Sequence, residues 1–371
     1  MTRSFTRHGF RFRVAGPEHD KAIADLLNAN AVAGWISLAY RTEPGWHHPL
    51  RPDARSETVI GTRLEDGQAG GIATRSVLPS FVNGQARPVG WLGQLRVDPQ
   101  FRNRAHLLRA GFEAVRTFLH DPAETPWYLA SIIEGNDTAR RILEAGLDGF
   151  PLFEPLFAYE VLAMTAPART TFPATIRRAE PGDMTVIGEF LDEQNRSRDF
   201  APHIGNSSGL SEWTDLAPSD FLVREEGGRI GGVAAVWDQA PYRSLVATAY
   251  RPPLDRLRPL VNLAAPLAGL PRLPAPGRPL GQAYLALPAV RGDDEAVWID
   301  LVTAALVLTR EKGLQLLAAG FAHDDPLRVV TARRFRHRTY RSTIYGVRWG
   351  EDGECLDPAK IAMPKIEIGL L

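Results

Sequence analysis

The segment Leu95–Leu108 places arginines at the start of a helix. Its apolar residues predict a strand that ends at Pro99, and a long helix then begins near Arg104. A helix N-terminus presents unpaired N–H groups and a positive dipole, and Arg102 and Arg104 add charge-assisted contacts. The segment therefore predicts a pyrophosphate site. We expect it to involve Leu95, Arg96, Val97, Arg102, Asn103, Arg104, Ala105, His106 and Leu107.

A second polar turn follows the next apolar strand. Ile132 and Ile133 end that strand, Thr138 opens a helix, and Gly146 closes it. Asn136 and Ala139 lie at the beginning of this helix, a short distance along the chain from the first segment. Both segments thus place a helix N-terminus after a strand.

Together the two segments resemble the acyl-CoA site of the GCN5-related N-acetyltransferase (GNAT) superfamily. Val97, Pro99, Phe101 and Arg102 match its phosphate loop, and Asn136, Ala139 and Gly146 match its later helix; the resemblance covers about residues 10 to 162. It implies an acetyl-CoA or other acyl-CoA cofactor whose pantetheine arm faces Asn136 and Ala139. It also implies that a backbone N–H near Leu95 to Val97 polarises the thioester carbonyl.

Acyl transfer also needs groups that move protons and orient the amine. Where the family often has a strand carboxylate and a helix tyrosine, this sequence has Gly93-Gln94 and Leu143. The candidates that remain are Glu134 as the nearest carboxylate, Gln94 as a group that positions substrate or water, and Tyr128. Gln94 cannot serve as a base at neutral pH.

An internal repeat organises the chain around these segments. Residues 13–17 resemble 177–181, and residues 65–73 resemble 226–234, at offsets of 164 and 161. Each match reads as a strand, turn and helix or as a Gly-containing hairpin. We therefore predict two GNAT-like domains, 1–165 and 174–371, of mixed α/β class. Each would be a mostly antiparallel twisted sheet flanked by helices.

The second copy has acids where the first has arginines. Asp293, Asp294 and Glu295 begin its crossover helix, and Asp324 stands roughly where Asn136 does in the first copy. Acids at a helix start stabilise the helix but repel a pyrophosphate. We predict that this domain has lost its cofactor site. A Pro-rich stretch, 251–280, reads as an insertion with a short packed helix.

The net charge and the lengths of the apolar stretches indicate which partners and which compartment to expect. The net charge is zero, the pI is about 7.2, and no apolar stretch is long enough to span a bilayer. We expect a cytoplasmic protein with no membrane partner and no nucleic-acid partner, although residues 333–341 form a basic run. We predict no metal site, because no Asp, Glu or His follows His47-His48 three or four residues later and Cys355 is the sole cysteine of the sequence.

These observations favour an N-acyltransferase, most simply an N-acetyltransferase, that acts on a small-molecule or peptide amine. A non-catalytic acyl-CoA-binding scaffold is the first alternative, because the usual strand carboxylate and helix tyrosine are absent. A Fem-type peptidyltransferase fed by aminoacyl-tRNA is the second, supported by the basic run. The oligomeric state is left open.

Overall fold

Two halves of the chain contribute to one large sheet. The structure is a computed structural model that describes residues 4–31, 34–43, 45–46, 55–102, 104–166, 170–205, 209–210, 213, 215–268, 270–350 and 356–371. His47, His48, Asn103 and Cys355 lie outside these residues. None of the helices described is long and apolar enough to cross a membrane.

The first half alternates hairpins and helices. Its elements are β1 (Ser4–Arg7), β2 (Phe10–Val14), α1 (Asp20–Ala29), β3 (Ile36–Thr42), β4 (Arg55–Arg63), β5 (Ala69–Val82), β6 (Gln85–Val97), α2 (Ala105–Phe118), β7 (Tyr128–Ile133), α3 (Asp137–Leu143) and β8 (Leu152–Thr165). Asn83 and Gly84 both have positive φ, 51° and 74°, as a tight β5–β6 hairpin requires.

The second half repeats most of this order, but it lacks counterparts of β1 and β3 and adds a strand and a helix before its crossover. Its elements are β9 (Ile176–Arg178), α4 (Met184–Asn195), β10 (Phe221–Glu226), β11 (Arg229–Trp237), β12 (Arg243–Tyr250), α5 (Leu254–Ala268), β13 (Gln282–Val290), α6 (Glu295–Glu311), β14 (Leu316–Ala322), α7 (Pro326–Arg334) and β15 (His337–Arg348). The two sequence matches fall on corresponding strands, helices and hairpins of the two halves.

Thirteen strands form the main sheet in the order β1-β2-β4-β5-β6-β7-β15-β8-β14-β13-β11-β10-β9. Within it only β6–β7 and β13–β14 pair in parallel. The mixed, mostly antiparallel fold class is confirmed. The central strands are exchanged: β15 pairs with β7, and β8 pairs with β14. We propose 1–165 and 174–371 as the repeating units, each completed by a strand from the other.

A buried carboxylate forms ion pairs that link the exchanged strands. Glu160 of β8 is 4% exposed and pairs with Arg328 of α7 and Arg341 of β15. Burial alone would raise the pKa of Glu160, but hydrogen bonds from Arg341 and His323 and the charge of Arg328 hold it below its usual value. These contacts join the middle of the chain to its last strand.

The connecting segments contain a strand that the sequence did not predict. After α1 the chain forms β3, which pairs with β12 of the other half. The helix expected in the Pro-rich stretch is α5, but it is not packed throughout. Leu257, Leu260 and Leu263 are 43%, 64% and 78% exposed. Local sequence does not encode a pairing partner two hundred residues away.

Candidate functional site

The parallel strands β6 and β7 diverge soon after they meet. They pair only at Gly90–Tyr128 and Trp91–Leu129, although β6 runs on to Val97 and β7 to Ile133. Both strands are described over their whole length, so the loss of pairing is a feature of the fold. Gly93 and Ser131 on the two arms are exposed. The two arms therefore diverge, and we call the space between them the cleft.

A β-bulge lies on the β6 arm. Thr74 pairs with Gly93 and Ile72 with Arg96, so Gln94 and Leu95 together oppose a single residue of β5. Gln94 has a φ of 49°. A bulge of this kind turns backbone groups out of the ladder.

The second half contains the same bulge and shows what its backbone can bind. Ala235 pairs with Ala286 and Val233 with Ala289, and Leu287 between them has a φ of 48°. The Leu287 N–H donates to a carboxylate oxygen of Glu367 at 2.7 Å. The bulge N–H in this conformation therefore donates to a carboxyl oxygen.

The N-terminus of α2 has no side-chain cap among the described residues. Its N-cap is Arg104, and Arg102 and Arg104 are both exposed. Arg104 stacks on Phe101 with its guanidinium carbon 5.1 Å from the ring centre. Arg102 donates to the side chain of Asn30 at 2.9 Å. The helix thus begins with positive charge and open N–H groups.

The equivalent helix of the second half is capped by its own acid. The Asp294 side chain accepts from the N–H groups of Ala296 and Val297 at 2.8 and 3.0 Å. Asp293 pairs with Arg198. The anion site of α6 is thus occupied by a residue of the chain.

The later helices also correspond. Asn136 is the N-cap of α3 and accepts from the Ala139 N–H at 3.3 Å. In the second half the N-cap of α7 is Asp325, one residue beyond the Asp324 that the sequence pointed to. Leu95 and Val97 pack against the apolar cluster beneath α2, and Leu107 belongs to that cluster.

The remaining candidates are separated by the structure. Glu134 is exposed at the end of the β7 arm, with its carboxylate 3.9 Å from Arg341. Tyr128 is fully buried where the arms meet, and its hydroxyl hydrogen-bonds His120, so it has no access to the cleft. The N–H of Leu107 bonds back to the Arg104 carbonyl and is not free for a phosphate.

Sequence reasoning missed residues that reach this region from distant parts of the chain. Arg243 of β12 lies over the ring of Tyr40 of β3, with its guanidinium carbon 5.6 Å from the ring centre. Glu367 comes from the last described segment and occupies the second bulge. Neither has a recognisable local motif, because each acts through a long-range contact.

No protein-family model and no curated protein matches the sequence. Solved structures do match it. A GCN5-related N-acetyltransferase from Sphaerobacter thermophilus aligns with a TM-score of 0.55 and 17% identity, over 92% of this chain and 96% of that one. Saccharomyces cerevisiae N-myristoyltransferase with bound myristoyl-CoA aligns with a TM-score of 0.59 and 12% identity, over 98% of this chain and 90% of that one.

A second Saccharomyces cerevisiae N-myristoyltransferase structure, with bound myristoyl-CoA and inhibitors, aligns with a TM-score of 0.61 and 13% identity, over 98% of this chain and 87% of that one. The likeness extends over nearly the whole chain in all three comparisons, and at these identities it concerns the fold. The chain therefore has the GNAT fold, which it shares with a GCN5-related N-acetyltransferase and with N-myristoyltransferase.

Proposed function

We propose that the chain is an acyl-CoA-dependent N-acyltransferase that holds its acyl-CoA in the first half. The thioester would lie between the β6 and β7 arms, with the pyrophosphate at the N-terminus of α2. The pantetheine arm would pass Asn136 and Ala139. Solved structures of the same fold include an N-acetyltransferase and an N-myristoyltransferase that binds myristoyl-CoA, which supports this class of reaction.

The observation that carries the proposal is the contrast between the two halves. In the second half, Glu367 fills the bulge and Asp294 fills the helix N-terminus. In the first half, Gln94 has the same backbone conformation and α2 has no side-chain cap among the described residues. In the second half both groups donate to carboxyl oxygens of the chain itself, and we propose that in the first half they bind the ligand.

The Gln94 N–H would stabilise the negative charge that develops on the thioester carbonyl oxygen. The carboxylate of Glu367 marks the corresponding oxygen position in the second half. Arg102 and Arg104 would bind the pyrophosphate oxygens, together with the Ala105 and His106 N–H groups.

We propose acetyl-CoA as the donor, because one of the solved structures with this fold is a GCN5-related N-acetyltransferase that aligns over 92% of this chain.

Arg102→Ala is expected to weaken acetyl-CoA binding about tenfold, because a charge-assisted phosphate contact contributes about 1.5 kcal/mol. Calorimetric titration with acetyl-CoA and with CoA measures this. We expect one site per chain. Arg291→Ala, at the crossover of the second half, is the matched control and should leave the dissociation constant unchanged.

Two sites per chain would contradict the assignment of the second half. No binding by a folded protein would exclude the proposed function. Binding of acetyl-CoA without transfer to any of a broad panel of amines would favour the non-catalytic scaffold. Retention of tRNA that is lost at raised salt would favour the aminoacyl-tRNA alternative.

Glu134 is proposed to accept the amine proton through water. Glu134 lies at the end of the β7 arm and its carboxylate is exposed. The carboxylate of Asp98, which follows the β6 arm, accepts hydrogen bonds from Gln100 and Gln68. Glu134→Gln should lower kcat about tenfold, since an exposed base acting through water falls below the usual range for direct general bases. The KM for acetyl-CoA should not change. Steady-state kinetics of Glu134→Gln test this, with the exposed Glu65→Gln variant as the control. An unchanged kcat for Glu134→Gln would remove Glu134 from the mechanism.

A further inference from the structure

Arg96 lies on the opposite face of β6 from the phosphate-binding helix. Its neighbours Leu95 and Val97 pack against the apolar cluster beneath α2. Side chains alternate along a strand, so Arg96 between them points to the other face. There it lies near Tyr40 of β3. The sequence predicts Arg96 among the phosphate contacts, but its position on the strand separates it from them.

The charge of Arg96 is not balanced by any carboxylate among the residues that the structure describes. The guanidinium makes a hydrogen bond of 3.1 Å to the carbonyl of Leu95, its own neighbour. The residue is half-buried, and loss of hydration lowers the pKa of its side chain. An arginine held in this way is poised to gain from an anionic ligand.

A second guanidinium faces the same tyrosine. Arg243 lies over the ring of Tyr40 and donates to the side chain of Gln239 at 3.0 Å and to the carbonyl of Gly369 at 2.7 Å. Both acceptors are neutral. In the described part of the chain, two arginines therefore surround Tyr40 without a carboxylate partner, and the local field is positive.

The bulge adds a hydrogen-bond acceptor that has no donor. The side-chain oxygen of Gln94 is buried and makes no hydrogen bond with any described residue. A buried amide oxygen without a donor costs about 1 to 3 kcal/mol unless a ligand supplies one. Gln94 lies in the bulge, where the thioester is proposed to lie, and Arg96 follows two residues later on β6.

We infer that the acceptor amine carries a carboxylate, which Arg96 binds with support from Arg243, while the Gln94 side-chain oxygen accepts from the amine N–H. This inference rests on the proposed function. An α-amino acid or a short peptide with a nearby carboxylate has both groups. The amine would attack the thioester carbonyl, the new C–N bond would form and the C–S bond would break. The amine proton would pass through water to Glu134, and the leaving thiolate would take a proton from solvent.

The second half provides an internal comparison. At the positions of Gln94 and Arg96 it has Leu287 and Ala289, which are apolar and buried. The polar pair is therefore present in the half whose bulge is free of Glu367. This distribution is expected of a substrate subsite and is not required by the strand pairing, which is the same in both halves.

The test compares acids with their carboxamides. Purified full-length protein is assayed with acetyl-CoA and each common α-amino acid, and in parallel with the matching amino-acid amide. Transfer is followed by thiol release, and binding to the CoA-saturated protein by calorimetry. We expect kcat/KM to favour acids about 10- to 100-fold, as a charged hydrogen bond allows. Arg96→Ala should bring that ratio close to one.

The controls separate this inference from the proposed function. Arg87→Ala, an exposed arginine on the same strand, should keep the preference, and Arg96→Lys should keep part of it. Acetyl-CoA binding should be the same in all three variants. Loss of acetyl-CoA binding by the wild type would overturn the proposed function itself.

Three results would overturn the carboxylate subsite alone. Equal transfer to acids and amides, or no binding of either, is the first. A preference for acids that survives Arg96→Ala is the second. The third result concerns the acyl donor. If Arg96→Ala changes the ratio of kcat/KM for succinyl-CoA to kcat/KM for butyryl-CoA, and leaves the preference for acids over amides unchanged, Arg96 binds a carboxylate of the donor and not of the acceptor.

Discussion

Gly93→Trp is expected to lower acyl transfer at least about 100-fold while the protein remains folded. A Cβ built at Gly93 meets no atom within 4 Å, and the backbone there is not in the left-handed region. The residue is exposed on the β6 arm and shares a strand face with Trp91. An indole at this position would fill the cleft, and misplacement of reacting groups by about 1 Å can lower rates about 100-fold.

Two measurements decide the Gly93 result. Thiol release from acetyl-CoA reports transfer, and the melting temperature reports folding. Gly182→Trp is the control, because its Cβ also meets no atom within 4 Å and it precedes α4, away from the cleft. Wild-type transfer by a folded Gly93→Trp protein would show that the reaction occurs elsewhere.

Glu367→Ala is expected to lower the free energy of unfolding by about 3 kcal/mol. The Glu367 side chain is 4% exposed and accepts from the N–H groups of Leu287 and Gly369. Its removal leaves two buried donors without an acceptor, and each such donor costs about 1 to 3 kcal/mol. Denaturant unfolding measures this loss of free energy, with Glu65→Ala, a substitution in an exposed turn, as the control. A loss equal to that of the control would show that the second bulge does not need its carboxylate.

Glu367→Gln should behave differently, and its effect should depend on pH. Burial raises the pKa of Glu367 to about 7. A carboxyl group with a raised pKa stabilises the fold most below its unfolded pKa, and that contribution is lost as pH rises through 7. Glutamine resembles the protonated acid and does not ionise. The stability of Glu367→Gln relative to wild type should therefore increase between pH 5 and pH 8. A difference independent of pH would contradict the raised pKa.

The parts of the fold that local patterns encode were predictable. The Asn83-Gly84 turn, the apolar spacing of Ile23, Leu26 and Leu27 in α1, and the start of α2 after Arg104 all follow from short windows of sequence. The acids at the start of α6 likewise predict a stabilised helix start, which the structure forms with Asp294 as the cap. Such features depend on neighbours within about four residues, which is the range that sequence periodicity reports.

The contacts that shape the candidate site were harder to predict. The β3–β12 pairing joins Tyr40 to Leu245, and the bulge of Leu287 meets Glu367, eighty residues away. The sequence around Tyr40 and around Leu287 does not identify their partners, because tertiary packing decides which strands pair and which side chain reaches the bulge. The sequence therefore predicts the arms of the cleft better than it predicts the residues that cover them.

The central strand exchange has a consequence for how the protein is made. As the chain emerges from the ribosome, β7 has no partner on one side until β15 (His337–Arg348) has been synthesised. An unpaired strand edge is a site of aggregation, and pairings between distant residues form slowly. The inner edge of the first half therefore stays unpaired until β15 has been translated, and only then can its sheet close.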